Sequence, residues 1–386
     1  MNFLILGDGP DEDAWARALA DDPDHTLWAA CPGLKAFPKL PGGVDLDGAL
    51  AIAGVQAVLA GGDATLRAEG LRRAASIGLP VLCLHPPGPN ADPYYNVALS
   101  RAETGAVVVP DLPARLHPGV ASLAKALREG GAGTSKILRY EATLGPGEGA
   151  LVGVGFARVV DLIRAVLGEV EAVNATGDPA GPAPTERLVV QLRGPKGRRA
   201  EVRLEAGPPS MARFAVTSAE GSLTLEFDPS FHGPSTLLRR SAAESEVATD
   251  LGTWDPKAAL LRSFAAAGQG VDARPNLLDG TRAMEVMEAA ERSLRKGRTI
   301  DMFYEEMSEA GNFKSVMAST GCAVLLGTMF LYIASRMGPA IGLNWTEYLA
   351  WLIPPVLVLF VAAQLLRLGL RSPGAGDERP GRDAGP

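Results

Sequence analysis

An α/β domain with a parallel sheet, an α+β domain with an open antiparallel sheet, and two transmembrane helices are the architecture this sequence predicts. Three observations predict it. Apolar strands alternate with helical stretches near the start, strand-like runs between Gly and Pro turns follow, and two long, nearly uncharged runs close the chain. The 386 residues are 47% hydrophobic and 21% charged, enough for two ordinary globular domains. That excludes a disulfide-stapled miniprotein and a wholly disordered chain. The formal net charge of -7 lacks the positive field that phosphate tracking needs, so nucleic acid is not an expected partner. The cysteines Cys31, Cys83 and Cys322 form no CxxC pair, and His25, His85, His117 and His232 are scattered without HxxxH or HExxH spacing. Neither a disulfide framework nor a zinc site is expected, and thiol-reducing conditions fit best.

The first domain, residues 1–118, opens with an apolar run at 3–6, a Gly7-Asp8-Gly9 turn and a helix through Trp15, Ala16 and Leu19. Further strands are expected at 26–31, 55–60, 80–84 and 106–109, with helices at 66–76 and 94–103 between them. This alternation predicts a Rossmann-like parallel sheet whose ligand crevice lies at the strands' carboxyl ends, beside the loops at Gly7, Cys31, Gly61 and Leu84. A G-x-G-x-x-G turn there would hold a dinucleotide pyrophosphate on backbone amides. Only Gly7 and Gly9 match, and the third position is Glu12. Asp8, Asp11, Glu12 and Asp13 crowd the place the phosphates would take, and two charges 4 Å apart repel by about 1 kcal/mol in water and about 4 kcal/mol at an effective dielectric of 20. Stabilisation of the helix N-terminus accounts for these carboxylates better than cofactor binding does. The acidic ribose anchor expected some way after the turn is also missing, since Pro32 follows Ala29-Ala30-Cys31.

The second domain, residues 119–305, has strand-like runs at 136–144, 187–193, 200–205, 213–217 and 222–227, with a helix at 156–167 between the first two. Helices at 256–267 and 281–296 follow, the latter ending in Arg295, Lys296 and Gly297 as a C-cap should.

Residues 316–337 carry no charge until Arg336 and would make a helix of about 33 Å, matching a hydrocarbon core of about 30 Å. A second apolar run at 349–366 follows Trp345, Tyr348 and Trp351, which suit the interfacial belt. The pair reads as a transmembrane hairpin over 316–366, with Pro354 and Pro355 kinking its second helix. Lys296, Arg298 and Lys314 precede it and Arg367, Arg371, Arg379 and Arg382 follow it, so both flanks are expected to be cytoplasmic. The N-terminal apolar stretch is too short for a signal peptide, and residues 372–386 read as a disordered tail. Small residues on the first helix, Ser319, Gly321, Ala323 and Gly327, suit close helix contact within the pair or between protomers.

In layout the chain resembles the glucose-fructose oxidoreductase and inositol dehydrogenase (Gfo/Idh/MocA) family over roughly residues 1–305. The segments that carry the resemblance are Gly7 to Gly9, the 80–86 run ending Leu84-His85-Pro86 where the family has E-K-P, and Arg115-Leu116-His117-Pro118. To these add Asp161-Leu162-Ile163-Arg164 leading to Leu167-Gly168-Glu169-Val170, and Asp279-Gly280-Thr281 leading to Gly297-Arg298. The resemblance implies NAD or NADP as cofactor and hydride transfer to or from a sugar or polyol. By it Gly7, Gly9 and Arg115 map to the cofactor side and His85, Arg158 and Asp161 to the catalytic side. The family's E-K-P lysine maps to His85 and its histidine, three residues before Asp161, to Arg158. His85 has the intrinsic pKa for proton transfer near neutral pH or, alternatively, hydrogen-bonds within its loop; an arginine such as Arg158 cannot be a base. Arg115 and Arg158 could each hold an anionic ligand or form a salt bridge.

Three functions follow from these residues. The first is a non-catalytic binding or scaffolding module on an oxidoreductase-like fold, anchored in the lipid bilayer, with a homo-oligomer or a membrane protein as further partner. The second is an active NAD(P)-dependent oxidoreductase of a sugar or polyol derivative using His85 as acid/base. A transporter subunit, the third, is disfavoured because the two apolar runs carry ionisable residues only near their ends.

Overall fold

The computed structural model describes residues 1–42, 45–128, 136–145, 151–177, 186–208, 210–231, 233–243, 245–304 and 327–337, with Tyr348 and Pro354. Its first unit, Met1–Phe303, holds both sheets. In chain order the first sheet region comprises β1 (Asn2–Leu6), α1 (Pro10–Asp21), β2 (Thr26–Cys31), α2 (Leu46–Leu50) and β3 (Ala57–Ala60). It continues with α3 (Ala64–Ser76), β4 (Val81–Cys83), α4 (Asp92–Thr104) and β5 (Val108–Pro110). All strand pairs in this five-stranded sheet are parallel, in the order β2-β1-β3-β4-β5. The order reverses between β1 and β3, so the loops at Gly7 and Gly61 flank the switch point where such sheets open a crevice.

The strands are continuously apolar because both faces are covered. Phe3 and Ile5 pack with Trp15 and Leu19 of α1, whereas Leu4 and Leu6 face the opposite cluster containing Leu71 and Ala74 of α3. Asp63 caps α3 by accepting from the Leu66 amide at 2.8 Å.

The second region starts with α5 (Pro118–Arg128), β6 (Ile137–Leu144) and α6 (Ala157–Leu167), which is entered through a wide helical turn at Leu151–Phe156. Strands β7 (Ala172–Gly177), β8 (Arg187–Arg193), β9 (Arg199–Ala206), β10 (Ala212–Ser218), β11 (Gly221–Phe227), β12 (Pro234–Ser241) and β13 (Glu246–Thr253) follow. The region ends with α7 (Pro256–Gly268), α8 (Leu277–Lys296) and β14 (Ile300–Asp301). The nine-stranded sheet runs β13-β12-β11-β10-β6-β9-β8-β7-β14.

This sheet is mixed, which corrects the expectation of a purely antiparallel one: β6 and β9 pair in parallel. The cause is the crossover through α6. It sets β7 in the direction of β6, and two antiparallel reversals through β8 return β9 to that direction. Helix α7 leaves the second sheet and packs Leu260, Leu261 and Phe264 against Phe3, Ile5 and Trp15 of the first. Helix α8 carries a capping box between Asn276 and Asp279 and ends at Gly297 with φ +60°.

In the second unit, Tyr304–Pro386, residues 327–337 are helical. Most of the predicted hairpin, and the predicted tail from residue 372, lie outside the described residues. Among the described residues no helix is long and apolar enough to cross a membrane.

Candidate functional site

The turn after β1 brings two glycine loops into contact. Gly7 adopts φ +103°, and a Cβ on it would lie 2.3 Å from the Gly62 amide nitrogen, so only glycine fits. The Glu12 side chain folds back from the first turn of α1 into this junction. Its Oε1 accepts from the Gly62 amide at 2.6 Å, and the residue is only 3% exposed. A Cβ at Gly7, Gly9 or Gly61 would come within 3.0, 2.6 and 2.4 Å of a Glu12 carboxylate oxygen. The space these glycines create is therefore filled by the chain's own carboxylate.

Arg67, which the sequence reading passed over, fastens the neighbouring loops from the other side. Its Nη2 donates to the Gly62 carbonyl at 2.6 Å and its Nη1 to the Pro86 carbonyl at 2.5 Å. Its position one turn into α3, just after the Gly61-Gly62 pair, was the only sequence signal available.

His85 follows β4 and is 2% exposed. Its Nδ1 lies 3.0 Å from the Tyr94 hydroxyl, the two rings stack at 5.9 Å, and Nε2 is buried with no hydrogen-bond partner within normal geometry among the described residues. Burial, reinforced by the Arg158 charge, pushes its pKa down to about 3, so the imidazole is neutral at physiological pH. Arg158, in the first turn of α6, donates from Nε to the His85 carbonyl at 3.2 Å and from Nη2 to Asp11 at 3.0 Å. Arg158 thus ties the His85 loop to the first turn of α1, which follows Gly7 and Gly9.

Arg115 and Asp161 belong to a different cluster. Arg115 Nη1 lies 2.5 Å from Asp279 Oδ2 and 3.4 Å from Asp161 Oδ1, while Arg164 Nη1 reaches Asp161 Oδ1 at 3.2 Å. Arg274 adds a 2.7 Å contact to Asp279. Asp161 is 1% exposed, and burial raises its pKa to about 6 despite the two guanidinium groups. At Asp279 burial is outweighed by Arg115 and by the Asn276 amide, and its pKa falls. These side chains join α6 to α8 and to the loop after β5, and Arg115 and Asp161 already have ionic partners there.

Beside Arg158 a cleft of about 210 Å³ opens between the two sheet regions. Trp15, Tyr140, Phe227 and Phe231 give it aromatic walls, and Asp111 and Lys257 face it from the loop after β5 and from the start of α7. Among the described residues no group of His, Cys, Asp or Glu is arranged to hold a metal ion.

No family model matches the chain, and no curated protein matches it in sequence. Solved structures do match in fold. An aldose-aldose oxidoreductase from Caulobacter crescentus, complexed with glycerol, superposes with a TM-score of 0.66 at 17% identity, covering 78% of this chain and 99% of that one. A myo-inositol dehydrogenase from Corynebacterium glutamicum gives 0.63 at 18% identity over 79% and 99%. An oxidoreductase from Agrobacterium radiobacter in complex with NAD+, L-tartaric acid and magnesium gives 0.63 at 14% identity over 78% and 98%. The chain shares with these proteins a fold in which a parallel Rossmann-like sheet is joined to a mixed sheet.

For a nicotinamide dinucleotide to be held here, two features of these residues would have to give way. The glycine turn that would receive its pyrophosphate encloses Glu12, and the strand end that would anchor its ribose continues into Pro32.

Proposed function

We propose that this chain is a non-catalytic binding or scaffolding module built on a dehydrogenase fold and held at the cytoplasmic face of a membrane by a hairpin over residues 316–366. The observation that carries the reading is the Glu12 carboxylate in the glycine junction, bonded to the Gly62 amide at 2.6 Å. A diphosphate entering there would have to expel a buried, hydrogen-bonded anion and then approach Asp8, Asp11 and Asp13. Repulsion of about 4 kcal/mol per close charge pair at an effective dielectric of 20 exceeds the ~0.3–1 kcal/mol that a helix N-terminus returns. Proton transfer is equally ill served. Arg158 is paired with Asp11 at 3.0 Å, and His85 is buried, neutral and stacked on Tyr94.

The test is equilibrium titration of NADH and NADPH into the full chain, followed by nicotinamide fluorescence. Absence of saturable binding is expected; micromolar affinity would overturn the reading.

A second reading has one observation in its favour, the NAD+ held by the Agrobacterium radiobacter oxidoreductase of the same fold. In it the chain is an active NAD(P)-dependent oxidoreductase of a sugar or polyol derivative with His85 as acid/base. That reading requires Glu12 to leave the glycine junction and His85 to titrate near neutral pH. Turnover of nicotinamide with a panel of sugars and polyols, abolished in H85Q, would establish it.

A further inference from the structure

The cleft beside Arg158 is distinct in chemistry from the filled glycine junction. Its apolar body comes from Trp15, Tyr140, Phe227 and Phe231. Its charged groups are Asp11, Asp111, Arg158 and Lys257, two of each sign. Arg158 and Asp11 neutralise one another at 3.0 Å, with side chains 47% and 61% exposed. Asp111 and Lys257 remain. The indole of Trp15 holds both: its Nε1 donates to Asp111 Oδ2 at 3.0 Å, and Lys257 Nζ sits over its ring, 5.6 Å from the centroid. Among the described residues Lys257 has no carboxylate within ion-pair distance, and the indole is the only hydrogen-bond partner of the Asp111 side chain.

The balance of these charges restricts the ligand. An occupant with a single charge would pair one of the two groups and leave the other desolvated against it. A neutral polyol would seal both away from water without an ionic partner for either. A molecule carrying one ammonium and one carboxylate on an apolar body satisfies both groups by charge-assisted hydrogen bonds of about 2.8 Å and covers the aromatic walls with the rest. We propose that this cleft binds a small zwitterion, an α-amino acid with an apolar side chain, its ammonium on Asp111 and its carboxylate on Lys257. The proposal rests on the non-catalytic reading in one respect: binding needs no nucleotide.

Calorimetric titration of the full chain, without nucleotide, tests it with L-leucine and L-phenylalanine as probes. Isobutyrate, isobutylamine and myo-inositol serve as anionic, cationic and neutral comparators. Saturable binding of at least one amino acid is expected, stronger than any comparator and weakened by about tenfold or more in both D111N and K257M. Thermal unfolding of each variant confirms that it is folded, and the isosteric D111N leaves the Trp15 contact in place. The proposal is overturned if neither amino acid binds, if a comparator binds as tightly, or if either folded variant binds like the parent chain. Nucleotide titration of the same sample separates its failure from that of the non-catalytic reading.

Discussion

His85 makes a quantitative prediction about acid stability. A histidine whose folded pKa lies near 3, against about 6.5 when unfolded, binds its proton in the unfolded chain first. Its contribution is complete above pH 6.5 and is lost as the pH falls toward 3. The full shift corresponds to about 5 kcal/mol, of which about 3 kcal/mol is lost by pH 4. His117 adds a loss of the same sign, because burial lowers its pKa to about 4. Asp161 opposes both. Its folded pKa near 6 means that the folded carboxyl binds a proton first, which stabilises the fold by up to about 3 kcal/mol as the pH falls from 6 to below 4. Urea unfolding of the parent chain and of H85N, followed by tryptophan fluorescence at stepped pH, isolates the histidine. Asn can still bond the Tyr94 hydroxyl but does not titrate. Between pH 6.5 and 4 the parent should lose about 3 kcal/mol more than H85N. Parallel curves, or an imidazole of His85 that titrates between pH 6 and 7 by NMR, would refute the argument and return His85 to the list of working acid/base groups.

Other substitutions report on the remaining features. R115M leaves Asp161 and Asp279 short of a buried cation and should destabilise the fold by about 3–5 kcal/mol in the same urea assay. E12Q, which removes the charge, and E12G, which also empties the glycine junction, should each raise NADH affinity, E12G the more; unchanged affinity in both would show that Glu12 does not exclude the nucleotide. Deleting residues 316–366 should release the chain from membrane pellets that resist alkaline carbonate washing, and retention of the deleted chain in the pellet would disprove the anchor.

The parallel sheet was legible because its strands are buried on both faces and so read as unbroken apolar runs. Strands β12 and β13 were not: β13 is largely exposed and carries no apolar alternation that would set it apart from a loop. The i, i+3 spacing of Asp161 and Arg164 lies on the sequence surface, but their partners Arg115 and Asp279 arrive from distant segments that only the tertiary fold joins. Glu12 was visible as a departure from the glycine pattern. What it does instead depended on the Gly62 amide, fifty residues on. Arg67 left no trace, since it bonds carbonyl oxygens that every residue possesses.

Glycines in this turn would ordinarily be explained by a bound phosphate, and the structure supplies a competing cause that can be tested. Gly9 has φ -83° and ψ 178°, a backbone that alanine adopts freely, so conformation does not require glycine there. A Cβ at this position would meet only the Glu12 carboxylate, with Oε2 at 2.6 Å. G9A should therefore push that carboxylate off the Gly62 amide, and E12A removes it outright. Each single variant then forfeits the same charge-assisted hydrogen bond, about 1.5–3 kcal/mol. Because both break one contact, the double variant should be no less stable than either single one, giving a coupling energy of about the same size. If the glycine were retained for a ligand alone, G9A would be nearly neutral in the unliganded chain and the two effects would simply add. Additive losses in the double-mutant cycle would thus contradict the self-filled junction on which the non-catalytic reading stands.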